Sequence, residues 1–275
     1  MSIAALRSTG ALPAQPLIAS AVLGELIGEN NSELTRWVEI DPALTAAILH
    51  AANAPHLRQM RRVSTVRQAM VVLGSSAVEA IAACKTAVLV LGPGDVGCPV
   101  GFWSHAIAAA AASAVIAEAL GANVDEAFTG GLLHDLGDLM LFRSDPEMHG
   151  IVAARLATGR RSLVEQEQIL FGRSHADVGA DQLDRWFFPD RLVRAVRWHH
   201  CSPEALTDGL SRAVWAGERL GAVAAGIEEP GPRSPYSVPT AALRAVGLSG
   251  ESPERILRDI DRRVDRIVKL VGRSA

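Results

Sequence analysis

Lysine is almost absent from this chain: Lys85 and Lys269 are the only two, and the rest of the positive charge is arginine. We read that as composition bias rather than function. Aromatic residues make up only 4%, which, with alanine abundant, points to closely packed helices. Cysteine is confined to Cys84, Cys98 and Cys201 without a CxxC pair. That excludes a disulfide framework and a thiolate zinc site, and it fits a reducing compartment. Alternating strand patterns are missing, which argues against a sheet. The longest apolar stretch, Ala106 to Ala117, reads as too short to span a bilayer. Pro13, Pro16 and Glu25 interrupt any signal-peptide core. The expectation is a soluble, cytoplasmic protein with no membrane partner. A net charge of −3 gives no electrostatic reason to expect nucleic acid. No GK[ST] follows Gly92-Pro93-Gly94, so that turn is no phosphate loop. No GxSxG elbow exists, and Ser104 beside His105 forms no triad.

What is present is a hydrophobic content of 49%, enough to exclude general disorder, and helix punctuation from end to end. Asp41-Pro42 is an N-cap with proline in the first turn, opening PALTAAILHAAN. Ser64 is placed to start TVRQAMVVL, which Gly74 stops. Ser76 opens a helix running to Gly92-Pro93-Gly94. A long apolar helix spans about Gly101 to Leu120 and is closed by Gly121. Asp125 lies at the start of the helix that leads to His134, and Ser162 with Glu165 has capping-box spacing. The spacing predicts roughly a dozen helices with short connections, hence an all-α fold. We divide it into an N-terminal helical half (1–95), a second helical half (96–225), and a loop with C-terminal helices (226–275). The last helix, about Pro253 to Val271, lines up Leu257, Ile260, Val264, Ile267 and Val271. That short seam is expected to pack on its own domain, leaving a monomer or at most a weak dimer through 253–271.

The residues that carry chemistry are His105 in FWSHAIA, His134 and Asp135 in GGLLHDLGDLML, His175 in RSHADVGA, and His199 and His200 in VRWHH. They fall inside otherwise apolar segments, where an unpaired polar ring is costly to bury. Imidazole and carboxylate together suit a divalent metal. His199 and His200 at a helix end also admit a plainer role, since a helix C-terminus favours positive charge without a metal. Gly130 and Gly131 would let another helix approach the HD pair closely. His50, His56 and His149 are read as incidental. Arg58, Arg61, Arg62 and Arg67 precede a short helix rather than lining it, which argues against DNA recognition.

GGLLHDLGDLML resembles the signature of the HD superfamily of metal-dependent phosphohydrolases. More specifically, the span from about Leu12 to Leu220 resembles the HDOD family, HD-related output domains of bacterial signalling proteins. LPAQPLIASAVLGELIG, VEIDPALTAAILHAANAP and VSTVRQAMVVLGSSAV are similar to that family's N-terminal helices, and the histidine-bearing segments follow in the family's order. The resemblance implies that His105 is the first metal histidine and His134-Asp135 the central pair. His175, His199 and His200 match further histidines of the HD-GYP branch, which hydrolyses cyclic di-GMP. Three departures stand out. Asp138 occupies the place of a lysine, which opposes a phosphorylated substrate. Gly217 and Glu218 stand where the final metal aspartate is expected, and no GYP motif follows His200.

The resemblance therefore implies a non-catalytic signal-transduction module, with no catalytic residue and no certain cofactor. Its cluster holds at most a weakly bound divalent metal, because the last carboxylate is gone. Its partner would be a signalling protein or a small ligand, a nucleotide included, with signalling relayed between the two halves about Gly92, Gly94 and Gly97. The alternative is an HD phosphohydrolase acting on a nucleotide or cyclic dinucleotide.

Overall fold

The computed structural model describes Ile18, Val22 and residues 33–57, 61–91, 97–99, 101–158, 161–224 and 239–272. The described residues contain helices and turns and no strand, so the fold is all-α as the punctuation implies. In chain order the helices are α1 (Leu34–Glu39), α2 (Pro42–Ala52), α3 (Val66–Leu73), α4 (Ser75–Leu91), α5 (Phe102–Leu120), α6 (Val124–Leu133) and α7 (Leu136–Ser144). They continue with α8 (Pro146–Thr158), α9 (Leu163–Phe171), α10 (His175–Arg185), α11 (Asp190–Arg197), α12 (Gly209–Ala224), α13 (Pro239–Ala245) and α14 (Pro253–Gly272). Gly92, Gly94, Arg58 and the 226–238 loop lie outside the described residues.

The caps explain where the helices begin. Asp41 accepts from Leu44 N at 2.8 Å with Pro42 in the first turn. Ser162 and Glu165 form a full capping box. Two starts differ from expectation by one residue: Thr65, not Ser64, caps α3, and α4 begins at Ser75 rather than Ser76. Asp125 lies in the first turn of α6, as expected, with Asn123 as its cap. Ser64 is freed for a longer reach: its hydroxyl donates to Glu126 Oε1 at 2.7 Å.

The centre of the fold is α5. Residues 106–117 are all buried, because a ridge of alanines lets neighbouring backbones close in. The Cβ that Gly131 of α6 lacks would stand 2.7 Å from Ala109 O, as the Gly130-Gly131 pair suggested. On α12, a Cβ at Gly217 would stand 2.6 Å from Ser113 N, and one at Gly221 2.7 Å from Ala108 O. Three helices thus meet backbone to backbone. At 19 residues α5 is long and apolar enough to cross a bilayer, which corrects the shorter apolar reach taken from Ala106–Ala117. Here its residues 106–117 are buried inside the fold.

One apolar cluster runs from Ile18 and Val22 through α1–α3 to α14, so both halves contribute to a shared core. Polar ties add to it. Arg62 donates to Phe188 O at 2.8 Å, and Arg191 forms a two-pronged pair with Glu126, which also accepts from Ser64. Helix α14 packs on the chain's own core through Ile256 and Ile260, with Leu257, Val264 and Ile267 partly buried against it.

Candidate metal centre

Four pieces of chain deliver the side chains. His105 lies in the first turn of α5. His134 and Asp135 do not share a helix: they form the bend between α6 and α7. That break solves the problem of adjacent residues diverging by about 100° on one helix, since both side chains now face the same space. His175 opens α10, and His199 and His200 sit in the turn after α11. Gly137 sets the depth of the α7–α10 contact, because a Cβ there would stand 1.9 Å from His175 O.

All six residues come together. His105 Nε2 lies 3.1 Å from His134 Nε2 and 3.1 Å from Asp135 Oδ2, which is also 3.2 Å from His134 Nε2. On the other side, His175 Nε2 lies 3.0 Å from both His199 Nε2 and His200 Nε2. Asp135 Oδ1 stands 3.4 Å from His175 Nε2 and 3.6 Å from His199 Nε2. One carboxylate therefore faces two groups, His105–His134 with one oxygen and His175–His199–His200 with the other. His134, His175 and His199 are fully buried.

The outward nitrogens fix the chemistry. His134 Nδ1 donates to Gly131 O at 2.7 Å, His199 Nδ1 to Val196 O at 2.5 Å, and His175 Nδ1 to Glu167 Oε2 at 2.7 Å. Gly131 O and Val196 O have no proton to give, so Nδ1 of His134 and of His199 carries the hydrogen; on these rings, and on His175 beside Glu167, the neutral form turns an Nε2 lone pair inward. Two such lone pairs, on His175 and His199, are 3.0 Å apart. They repel unless a proton or a cation lies between them. A donor set of imidazole nitrogens with a shared carboxylate fits a borderline divalent ion, and the partners behind the rings are what metal-binding histidines require.

Electrostatics agree at Asp135, His199 and His200. Burial works against the Asp135 carboxylate, but the surrounding imidazoles outweigh it and hold its pKa well below the usual range. Burial pushes His199 and His200 down, His200 strongly, toward the neutral form that binds metal. His175 goes the other way: the cost of burial is exceeded by the charge and hydrogen bond of Glu167.

A family model described as HDOD domain matches residues 12–202. The chain belongs to the HDOD family. Its fold is similar to that of the MmoQ response regulator from Methylococcus capsulatus str. Bath, with a TM-score of 0.73 and 26% identity over 90% of this chain and 98% of that one. It is also similar to a virulence factor from Campylobacter jejuni subsp. jejuni, with a TM-score of 0.71, 16% identity and 96% of each chain covered. That second likeness concerns the fold alone. A segment is 31% identical over 104 residues to ribonuclease Y of Fervidobacterium nodosum. It takes in 38% of this chain, which spans only 15% of that protein's length.

Within this site, one carboxylate escaped the sequence reading. Glu167 lies on α9, buried, and accepts from both His175 N (2.9 Å) and His175 Nδ1. Only its position eight residues before a candidate ligand could have flagged it. Glu218, which stands where the sequence reading expected an aspartate, is buried, and its Oε1 lies 3.5 Å from His200 Nδ1. Arg219 holds the other side of that group: Nη1 donates to Glu218 Oε2 at 2.9 Å and to His199 O at 3.0 Å. Asp138, in the lysine's place, accepts from His149 Nε2 at 2.7 Å, so His149 has a partner beside the site rather than an incidental position.

Proposed function

We propose that this HDOD chain is a signal-transduction module that binds a partner protein or small ligand, and whose buried His/Asp cluster holds divalent metal without turning over phosphodiesters. The signalling part is supported by the family match and by the likeness to a response regulator over nearly the whole of both chains. The metal part rests on one observation above all: the Nδ1–H of His134, His175 and His199 is committed outward, leaving lone pairs that converge around Asp135. His105, His134 and Asp135 would hold one ion, and His175, His199 and His200, with the far oxygen of Asp135, a second. A bound metal would supply positive charge toward an anionic ligand group. The absence of turnover is argued from Asp138, an anion where a phosphate-attracting cation would serve hydrolysis.

The test is metal analysis of protein purified without a histidine tag, followed by assays on cyclic di-GMP, nucleoside triphosphates and a generic phosphodiester with added manganese or iron. The expected result is bound metal in the parent, loss of it in Asp135→Ala, and hydrolysis no faster than that of His134→Ala. A metal-free parent sinks the metal reading. One observation favours a second reading as a phosphohydrolase: Asp135 faces two ligand groups, the disposition two-metal hydrolysis uses, and Glu218 stands beside His200. Turnover abolished by both His134→Ala and Asp135→Ala would decide for it.

A further inference from the structure

Away from the metal centre, a cavity of about 560 Å³ opens between α1, the start of α3, the start of α6 and the end of α14. Its volume falls in the range of small-molecule sites, about 300–1,000 Å³. Its apolar lining includes Ile40, Val66, Ala114, Phe128 and Ile267. Its charged lining is Arg36, Arg67, Arg263 and Arg266 against Glu39 and Asp125, four positive charges to two negative, in a chain whose net charge is −3. Arg263 and Arg266 also line a second groove with Arg255 and Arg262, four arginines against Glu118 and Asp259. An apolar chamber and an arginine-rich groove therefore share a wall.

Arg67 pairs with Glu39 and Arg263 with Glu118, while Arg266 Nε donates to Arg262 O at 3.2 Å. No described carboxylate is paired with Arg266, and exposed ion pairs such as the others are worth about 0–1 kcal/mol. A phosphate group can displace them at little cost and gain forked guanidinium contacts in return.

We propose that this double cavity is a nucleotide site, with the base in the apolar chamber beside Phe128 and the phosphates over Arg263 and Arg266. This deepens the signalling reading by naming where a small ligand enters, and rests on it only for the use made of the binding. Helix α6 connects the two places. Val124, Asp125, Phe128 and Thr129 line the cavity, and the same helix ends at His134, about 15 Å from Val124 and about 9 Å from Phe128 along its axis.

The experiment is a fluorescence titration of the full chain with the methylanthraniloyl derivatives of ATP and GTP, competed by the unlabelled nucleotides and by inorganic tripolyphosphate. The expected result is saturable one-site binding, displaced better by nucleotide than by tripolyphosphate. Affinity should fall about tenfold or more in Arg266→Glu, which removes a charged partner, and in Val124→Trp, which fills the chamber. Both positions are surface-accessible, so a cooperative melt should confirm that each variant folds. Binding should be unchanged in Gly150→Ala, on α8 where a Cβ meets nothing within 4 Å, and should persist after metal chelation, which separates this site from the metal reading. No saturable binding, affinity untouched by Arg266→Glu and Val124→Trp, or binding lost on metal chelation alone would each overturn the assignment. Tripolyphosphate competing as well as nucleotide would remove the role of the apolar chamber.

Discussion

Each imidazole at the centre is aimed by a neighbour already fixed by helix geometry. Gly131 O and Val196 O lie three residues before His134 and His199, so the last turn of α6 and of α11 supplies the acceptor that sets each ring. Single ion pairs then set the position of the turns themselves. Asp181 on α10 receives Arg197 Nη2 at 2.6 Å and is also paired with Arg173, and Arg197 immediately precedes Trp198, His199 and His200. Burial raises the Asp181 carboxyl, but the hydrogen bonds and charge of Arg197 and Arg173 more than offset it and hold its pKa below the ordinary value. A carboxylate depressed in the folded state stabilises above its unfolded pKa, about 3.9, and that stability is lost as pH falls through the lower folded value. Asp181→Asn should therefore be less stable than the parent at neutral pH, by no more than about 1 kcal/mol for a partly exposed pair. The gap should close in urea melts run below about pH 4. A constant gap across pH would show that the residue acts by packing rather than by charge.

Among the elements, the contact of α7 with α10 matters most, because it carries Asp135 and His175 past each other. Gly137→Ala places a methyl carbon against His175 O, with Gly179 N 2.7 Å away, so α10 must move. Overpacking of that kind costs about 1–3 kcal/mol or more, and metal retention should fall with it. Gly150 on α8 is the control: a Cβ there meets nothing within 4 Å. Gly150→Ala should leave metal content unchanged and raise stability by about 0.5–1 kcal/mol. Equal losses from the two substitutions, read by denaturant melts and metal analysis, would show that the α7–α10 contact does not set the site. Helix limits such as Asp41-Pro42, Gly121 and Ser162–Glu165 were legible in sequence because caps act within one turn. The five histidines and Asp135 were legible because polar rings in apolar segments need partners. The Ser64–Glu126–Arg191 tie was not, since its members lie 62 and 65 residues apart, and Glu167 was not, since a glutamate eight residues from His175 and on a different helix follows no local repeat. The bend at His134–Asp135 also escaped, because GGLLHDLGDLML reads as one uninterrupted helix.

For the molecule as a whole, the centre draws on α5, the α6–α7 bend, α10 and the turn after α11, with Glu218 of α12 beside it. Those segments are brought together only by folding, so a metal held there binds the folded state and scarcely the unfolded one. Linkage then stabilises by about 2.7 kcal/mol when free metal is 100 times the dissociation constant. For a chain of this size that corresponds to a melting-temperature shift of several degrees. The effect should reach the N-terminal helices, because Glu126 and Arg191 tie α6 and α11 to Ser64, and Arg62 is bonded to Phe188 O. Chelation should therefore lower the melting temperature, restore it on adding back divalent metal, and reduce amide-exchange protection in residues 61–73 as well as around the histidines. Binding should weaken on acidification, because protonated imidazoles cannot serve as ligands. Asp135→Ala should melt like the chelated parent and stop responding to metal. A chelator that leaves both the melt and the exchange pattern unchanged in metal-containing protein would confine the ion to a local role, and the coupling of the centre to the N-terminal half would have to be given up.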